Sequence, residues 1–254
     1  MAKIITLANQ KGGVGKTTST NALAVCLKHK GYKVLCVDFD PQSNLSFSMN
    51  ADLSDKAPKI YDAIKRAVKV RHTIQRTGIV DIIPADLPLS GLELEFTSRG
   101  REFILRDCLA QVAGQYDYIL IDSPPALGIL TINAFAAADI VLIPCLPDAF
   151  SLQGTRRLHE TITRVKPAIN PGLLIGGIFI ARFYPREDLS NVAWATAEEM
   201  ARGLNVPLLR TRIRHSSVLS RAQILQKDII QYAPKNPAVK DYITLADELL
   251  KGGL

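Results

Sequence analysis

The stretch AKIITLANQKGGVGKTTSTNALAVCLKHKG, residues 2–31, sets a short β-branched apolar run and a helix-length segment on either side of a glycine-rich turn. The run KIITLA reads as a strand, and the helix is expected from about Thr17 to His29. Between them, GGVGKT falls close to the pattern G-x-x-x-x-G-K-[ST], with Gln10 where the pattern has its first glycine and with an additional lysine, Lys11, next to it. A strand, a loop of this kind and a helix present consecutive backbone N–H groups and a helix N-terminus to a phosphate chain. Gly12, Gly13 and Gly15 let the backbone come close, Lys16 reaches the terminal phosphates, and the Thr17 hydroxyl is a ligand for Mg²⁺.

Outward from this loop the same rhythm repeats. KVLCVD, VDIIPA, YDYILID, DIVLIPC and LLIGGIFI read as further strands. They are continuous apolar runs, as in strands buried on both faces. TINAFAAA, SLQGTRRLHETITRVK, LSNVAWATAEEMARGL and the tail PAVKDYITLADELLKGGL read as covering helices, the second ending before Pro167 and the third near Gly203. The fold class is α/β: one domain over residues 1–254, a doubly wound, mostly parallel sheet with helices on both faces. With 47% hydrophobic residues the chain can bury such a core. The longest apolar candidate for a membrane span, AFAAADIVLIPCL, is short and broken by Asp139, and the N-terminus lacks the order of a secretory signal, so a cytosolic chain is expected. Cys26, Cys36, Cys108 and Cys145 are scattered without metal-ligand spacing, and buried reduced thiols are expected.

A magnesium–phosphate site needs carboxylates at the C-terminal ends of neighbouring strands. LCVDFDPQSN ends one strand with Asp38 and Asp40, and YILIDSPP ends another with Asp122. A lone Asp at a strand end is more often a turn or cap residue, but three of them beside a phosphate loop point to a metal site.

KGGVGKTT, VDFDPQSN and ILIDSPP together resemble the deviant Walker A, A′ and Walker B motifs of the ParA/MinD family of ATPases, and most of all its DNA-partitioning branch. The likeness covers nearly the whole chain, since DIVLIPCLPDAFSLQG and FIARFYPREDLSN also fall where family members carry related segments. It implies a P-loop NTPase with ATP and Mg²⁺ as cofactors, contacted through Lys11, Gly12, Gly13, Val14, Gly15, Lys16, Thr17 and Thr18. It implies that Lys11 reaches the phosphates of a facing subunit in an ATP-dependent homodimer and that Asp40 positions the attacking water. Thr17, Asp38 and Asp122 then hold the metal and its water shell. Hydrolysis would be slow without a stimulator.

The net charge of +7 suits a polyanionic partner without proving one. LLRTRIRHSSVLSRAQILQK, residues 208–227, gathers Arg210, Arg212, Arg214, Arg221 and Lys227 with no carboxylate. If residues 210–214 are extended, their alternate arginines form a comb for the phosphates of nonspecific double-stranded DNA. The segment departs from the family, with Val218 in place of an arginine and Arg221 in place of a glutamate. The chain starts directly at its first strand, without the helix-turn-helix extension of larger partition ATPases, so operator recognition is assigned to a separate ParB-like, centromere-binding protein and the chain itself to the nucleoid. Two alternatives stay open. A MinD-like membrane-associated regulator needs a basic amphipathic C-terminal helix, and DYITLADELLKGGL has three carboxylates to one lysine. A nucleotide-dependent metabolic enzyme on the same scaffold is compatible with the loop motifs.

Overall fold

The computed structural model describes residues 1–95, 97–185 and 188–252; Arg186 and Glu187 of FIARFYPREDLSN, and Gly253 and Leu254 of the tail, lie outside the described residues. Seven strands, β1 (Lys3–Leu7), β2 (Val34–Asp38), β3 (Gln75–Arg76), β4 (Asp81–Ile83), β5 (Tyr118–Asp122), β6 (Ile140–Cys145) and β7 (Leu174–Ile180), form one sheet in the order β3-β4-β2-β5-β1-β6-β7. Every neighbouring pair is parallel except the edge hairpin of β3 on β4. Eleven α-helices are defined among the described residues. α1 (Lys16–His29), α2 (Asn44–Ser48), α3 (Ile60–Ile64), α4 (Leu92–Glu95), α5 (Ile104–Ala110) and α6 (Ile129–Ala137) come first. α7 (Ala149–Ile169), α8 (Asp188–Leu204), α9 (Ser217–Ile224), α10 (Ile229–Tyr232) and α11 (Pro237–Lys251) follow.

Helices cover both faces because strand side chains alternate. Ile5, Leu7, Cys36, Leu120 and Leu142 pack with α1, α9 and α11. Leu35, Val37, Ile119 and Ile121 pack with α3, α5 and α6, and Val141, Ile143 and Ile180 with α7 and α8. β2, β5 and β6 are buried along their whole length, which is why they read as unbroken apolar runs. All four cysteines are free and buried.

The α7 boundary differs from the sequence reading. The helix continues through Pro167 to Ile169, although proline removes one helical N–H and crowds the preceding turn. Asn170 fastens that last turn: its N–H donates to Lys166 O, and its Nδ2 donates to Phe135 O at 3.0 Å and Ala138 O at 2.7 Å at the end of α6. Two carbonyls of a neighbouring helix end are satisfied by that side chain, a tertiary contact that outweighs local propensity.

Register brings the acids together. Asp38 pairs with Asp122 across β2 and β5, and Asp122 pairs with Leu7, two residues before Asn9, across β5 and β1. Both carboxylates and the loop after β1 therefore share the C-terminal edge of the sheet, where ligands of open α/β sheets bind.

Candidate functional site

The loop after β1 folds as its glycines allow. Gly13 and Gly15 have φ of 73° and 94°, a region that a side chain disfavours, and Gly15 starts α1 with no side-chain cap. The first N–H groups of α1 are thus left open for an anion. Asn9 braces the loop from below: its Nδ2 donates to Pro144 O at 2.7 Å and its Oδ1 accepts from Lys11 N at 3.0 Å. A cavity of about 600 Å³ opens over the loop, lined by Gly12, Gly13, Gly15, Lys16, Thr17 and Thr18 on one side and by Asp40, Gln42 and Phe47 on the other. Val14 is buried beneath the loop and is not among its lining groups.

Lys16 is 7% exposed and its Nζ lies 3.5 Å from Lys11 O. Burial lowers its pKa, while the charges of Asp122 and Asp40 pull in the opposite direction.

The three acids have different occupations. Asp38 is fully buried; its Oδ2 accepts from Ser46 N at 2.8 Å and Ser46 Oγ at 2.6 Å, and its Oδ1 accepts from Asp40 N at 3.2 Å. It thereby ties the end of β2 to α2 and fixes the turn that carries Asp40. Asp40 is half-buried, lines the cavity and accepts from Gln42 N at 3.0 Å. Asp122 is 1% exposed, and neither of its oxygens accepts a hydrogen bond of full geometry, although the Thr17 hydroxyl lies near enough to favour its charged form. Burial and the neighbouring Asp38 push its pKa well above the ordinary carboxylate value, against the opposing pull of Thr17 and Lys16. Burial likewise raises Asp38 to about 6. Two buried acids at the same register, one whose oxygens accept no hydrogen bond of full geometry, beside a hydroxyl and a phosphate cradle, fit Mg²⁺, which binds through one or two protein oxygens and completes its shell with phosphate and water.

Lys11 does not line the cavity. Its Nζ sits 2.8 Å from both carboxylate oxygens of Asp148, the residue that caps α7 by accepting from Ser151 N at 2.8 Å. Sequence reading missed Asp148 in this role. The pattern D-x-x-S is a helix-start signal, and nothing local says which cation meets it. Gln223 of α9 was missed too: its Oε1 accepts from Thr18 Oγ1 at 3.2 Å, joining the loop to α9. Beside the loop a smaller recess of about 160 Å³ is walled by Gly13, Thr18, Arg182, His215 and Ser216, with Arg182 donating to Gly13 O at 3.4 Å.

The fold gives the arginines of the predicted comb different neighbours. Residues 208–214 form no regular strand and make two isolated bridges, Leu208 to Ile178 and Arg214 to Phe183. Arg212 stacks on Trp194, 4.0 Å from the ring centroid, and over Phe183 at 5.1 Å. Arg214 turns instead to Asp241 of α11, with Nη2–Oδ1 at 2.6 Å. Arg210 and Arg221 are exposed. The carboxylates absent from the run itself are supplied by α11, where Glu248 also accepts from the backbone N–H groups of Arg210 and Thr211.

A family model described as an AAA domain, AAA_31, matches residues 2–175. The sporulation initiation inhibitor protein Soj of Bacillus subtilis is 36% identical over 256 residues, covering 100% of both chains. The chain belongs to the ParA family of P-loop ATPases. A second relative of this ParA-family chain, the chromosome partitioning protein ParA of Myxococcus xanthus, is 36% identical over 99% of this chain and 89% of its own. Two solved structures show how widely the ParA-type scaffold is shared. Cobyrinic acid a,c-diamide synthase from Mycobacterium smegmatis with bound ATP analog and magnesium superposes with a TM-score of 0.87 at 30% identity, over 99% of this chain and 95% of that one. The septum site-determining protein MinD of Pyrococcus horikoshii, complexed with Mg-ADP, gives a TM-score of 0.82 at 26% identity, over 98% and 96%.

Proposed function

We propose that the protein is an ATP-driven dimerising switch that binds double-stranded DNA without regard to sequence. It hydrolyses ATP slowly and, with a centromere-binding partner, segregates or positions a plasmid, a chromosome or another cargo on the nucleoid. The observation that carries this reading is Lys11. A lysine at the start of a phosphate loop that lies outside its own cavity, on Asp148, is available to a second subunit's phosphates. Only a triphosphate offers γ-phosphate charge to a group arriving from outside, so such a contact reads ATP against ADP.

In this mechanism the N–H groups of the loop and of α1 hold the phosphate chain, and Lys16 neutralises its end. Thr17 and Asp122, with Asp38 behind them, would hold Mg²⁺, which when bound would supply neutralisation of phosphate charge. Asp40, held by the turn that Asp38 anchors, orients the water that attacks the γ-phosphate. Partner affinity then follows nucleotide state.

The MinD-like alternative receives less support. Tyr242, Leu245 and Leu249 on the apolar face of α11 are buried against α1 and the sheet, so that face is not available to a lipid surface. No helix among the described residues is long and apolar enough to cross a membrane. A metabolic reading draws on the cobyrinic acid synthase likeness. The deciding experiment is sedimentation with ATP: Lys11→Ala retains nucleotide binding but stays monomeric, whereas Lys16→Ala loses nucleotide binding altogether. Dimerisation of Lys11→Ala at wild-type concentrations contradicts the proposal.

A further inference from the structure

The chain has a second carboxylate-free basic run, AIKRAVKVRHTIQRTGIV at residues 63–80, with Lys65, Arg66, Lys69, Arg71 and Arg76. α3 ends inside it. Arg66, two residues past that end, has a left-handed backbone with φ 58°. The turn is closed by Arg66 N–H to Ala63 O at 3.0 Å and Ala67 N–H to Asp62 O at 2.9 Å. Helices that end this way ordinarily place glycine or asparagine there, because a Cβ is disfavoured in that region. This turn sets where the Arg66 side chain leaves the backbone, a conformation shared by five other non-glycine residues among those described.

Arg66 lines a cavity of about 400 Å³ between α3 and α5, together with Lys65, Arg99 and Arg101. It shares no lining residue with the phosphate cavity. Lys65 is paired with Glu95, and the acid in the wall, Asp107, is paired with Arg106 at 3.0 Å. Arg66 and Arg99 are exposed and make no ion pair among the described residues. This differs from the 208–227 run, where Arg212 and Arg214 already have partners.

Guanidiniums match phosphate oxygens in a bidentate fork, and a concave recess lined by several of them favours a compact, multiply charged anion over the long open backbone of a duplex. We propose that the α3–α5 cavity is a second anion site, separate from the nucleotide switch, that takes a small ligand of linked phosphates, with Arg66 and Arg99 as its principal contacts. The linked phosphates could be inorganic or the tail of a nucleotide, and both sources present the same oxygens.

The test uses the full chain carrying Lys16→Ala, so that the phosphate loop is disabled, and titrates inorganic tripolyphosphate and, separately, GTP by calorimetry. One site per chain is expected, with affinity falling at least tenfold when Arg66→Gly and Arg99→Gln are added. Tripolyphosphate binding as tightly as GTP assigns recognition to the phosphates alone; tighter GTP binding assigns the nucleotide as the source. Arg66→Gly suits the left-handed backbone, so an unchanged or higher Tm shows that the loss is one of binding and not of folding. Absence of tripolyphosphate binding, or binding that the double substitution leaves intact, overturns the proposal. So does duplex DNA binding that the pair abolishes while tripolyphosphate does not bind, because the surface is then a DNA contact.

Discussion

If Lys11 must leave Asp148 to meet a facing subunit's phosphates, the Lys11–Asp148 pair opposes dimerisation, and Asp148→Asn removes that opposition. The pair is short, 2.8 Å to both oxygens, and partly shielded, with 33% and 37% of the side chains exposed. Allowing for solvent screening, such a pair contributes about 0.5–1 kcal/mol. Two protomers must each break one, so the dimer constant with ATP should strengthen by about 1–2 kcal/mol, roughly 5- to 30-fold. Asparagine caps helices as well as aspartate does, so α7 keeps its bond from Ser151 and the Tm stays close to wild type. Asp148→Ala is the contrast: it frees Lys11 but also loses the cap, at about 1 kcal/mol of stability. Sedimentation equilibrium over a concentration series with ATP, and again with ADP, measures the constants. A dimer constant for Asp148→Asn within twofold of wild type, or weaker, refutes the reasoning, and equal strengthening with ADP shows that Lys11 does not read the γ-phosphate.

Asp122→Asn replaces a buried acid whose ionisation is disfavoured by burial and by Asp38, so the nucleotide-free protein should melt higher at neutral pH while ATP binding stops responding to added or chelated magnesium; a lower Tm, or an intact magnesium response by calorimetry, contradicts the assignment. Gly176→Ala places a Cβ 2.5 Å from Ile140 Cγ2 between β7 and β6, a clash that should cost about 1–3 kcal/mol in chemical denaturation. Arg212→Ala should change the emission of Trp194, the single tryptophan, yet affect DNA affinity less than Arg221→Ala, which should lower the log–log salt slope by up to about 2 per dimer; the reverse ranking in a duplex titration makes Arg212 the DNA contact.

The sheet and the phosphate loop were legible because their signals are local. A buried parallel strand is a continuous apolar run, and the loop's glycines, Lys16 and Thr17 occupy fixed places between a strand and a helix. Asp38 and Asp122 could be named because each ends such a run, and their shared register follows from two strands starting level in one sheet. What escaped was long-range. Asp148 lies 137 residues from Lys11, Gln223 lies 205 from Thr18, and α11 supplies the acids that occupy Arg214 and the backbone at Arg210. Pairings across such separations depend on how helices pack on the sheet, and side-chain identities alone leave many partners equivalent. Pro167 is the same case on a smaller scale, a breaker by its own chemistry held within a helix three residues before Asn170, which is fastened to the end of α6.

Binding of a fluorescent duplex of arbitrary sequence, compared with saturating ATP, with ADP and without nucleotide over a range of salt, measures the proposed switch most directly. Tight, salt-sensitive binding is expected with ATP alone, indifferent to sequence and lost in Lys11→Ala protein that still binds ATP. Equal affinity with ADP, or full DNA binding by Lys11→Ala, contradicts it.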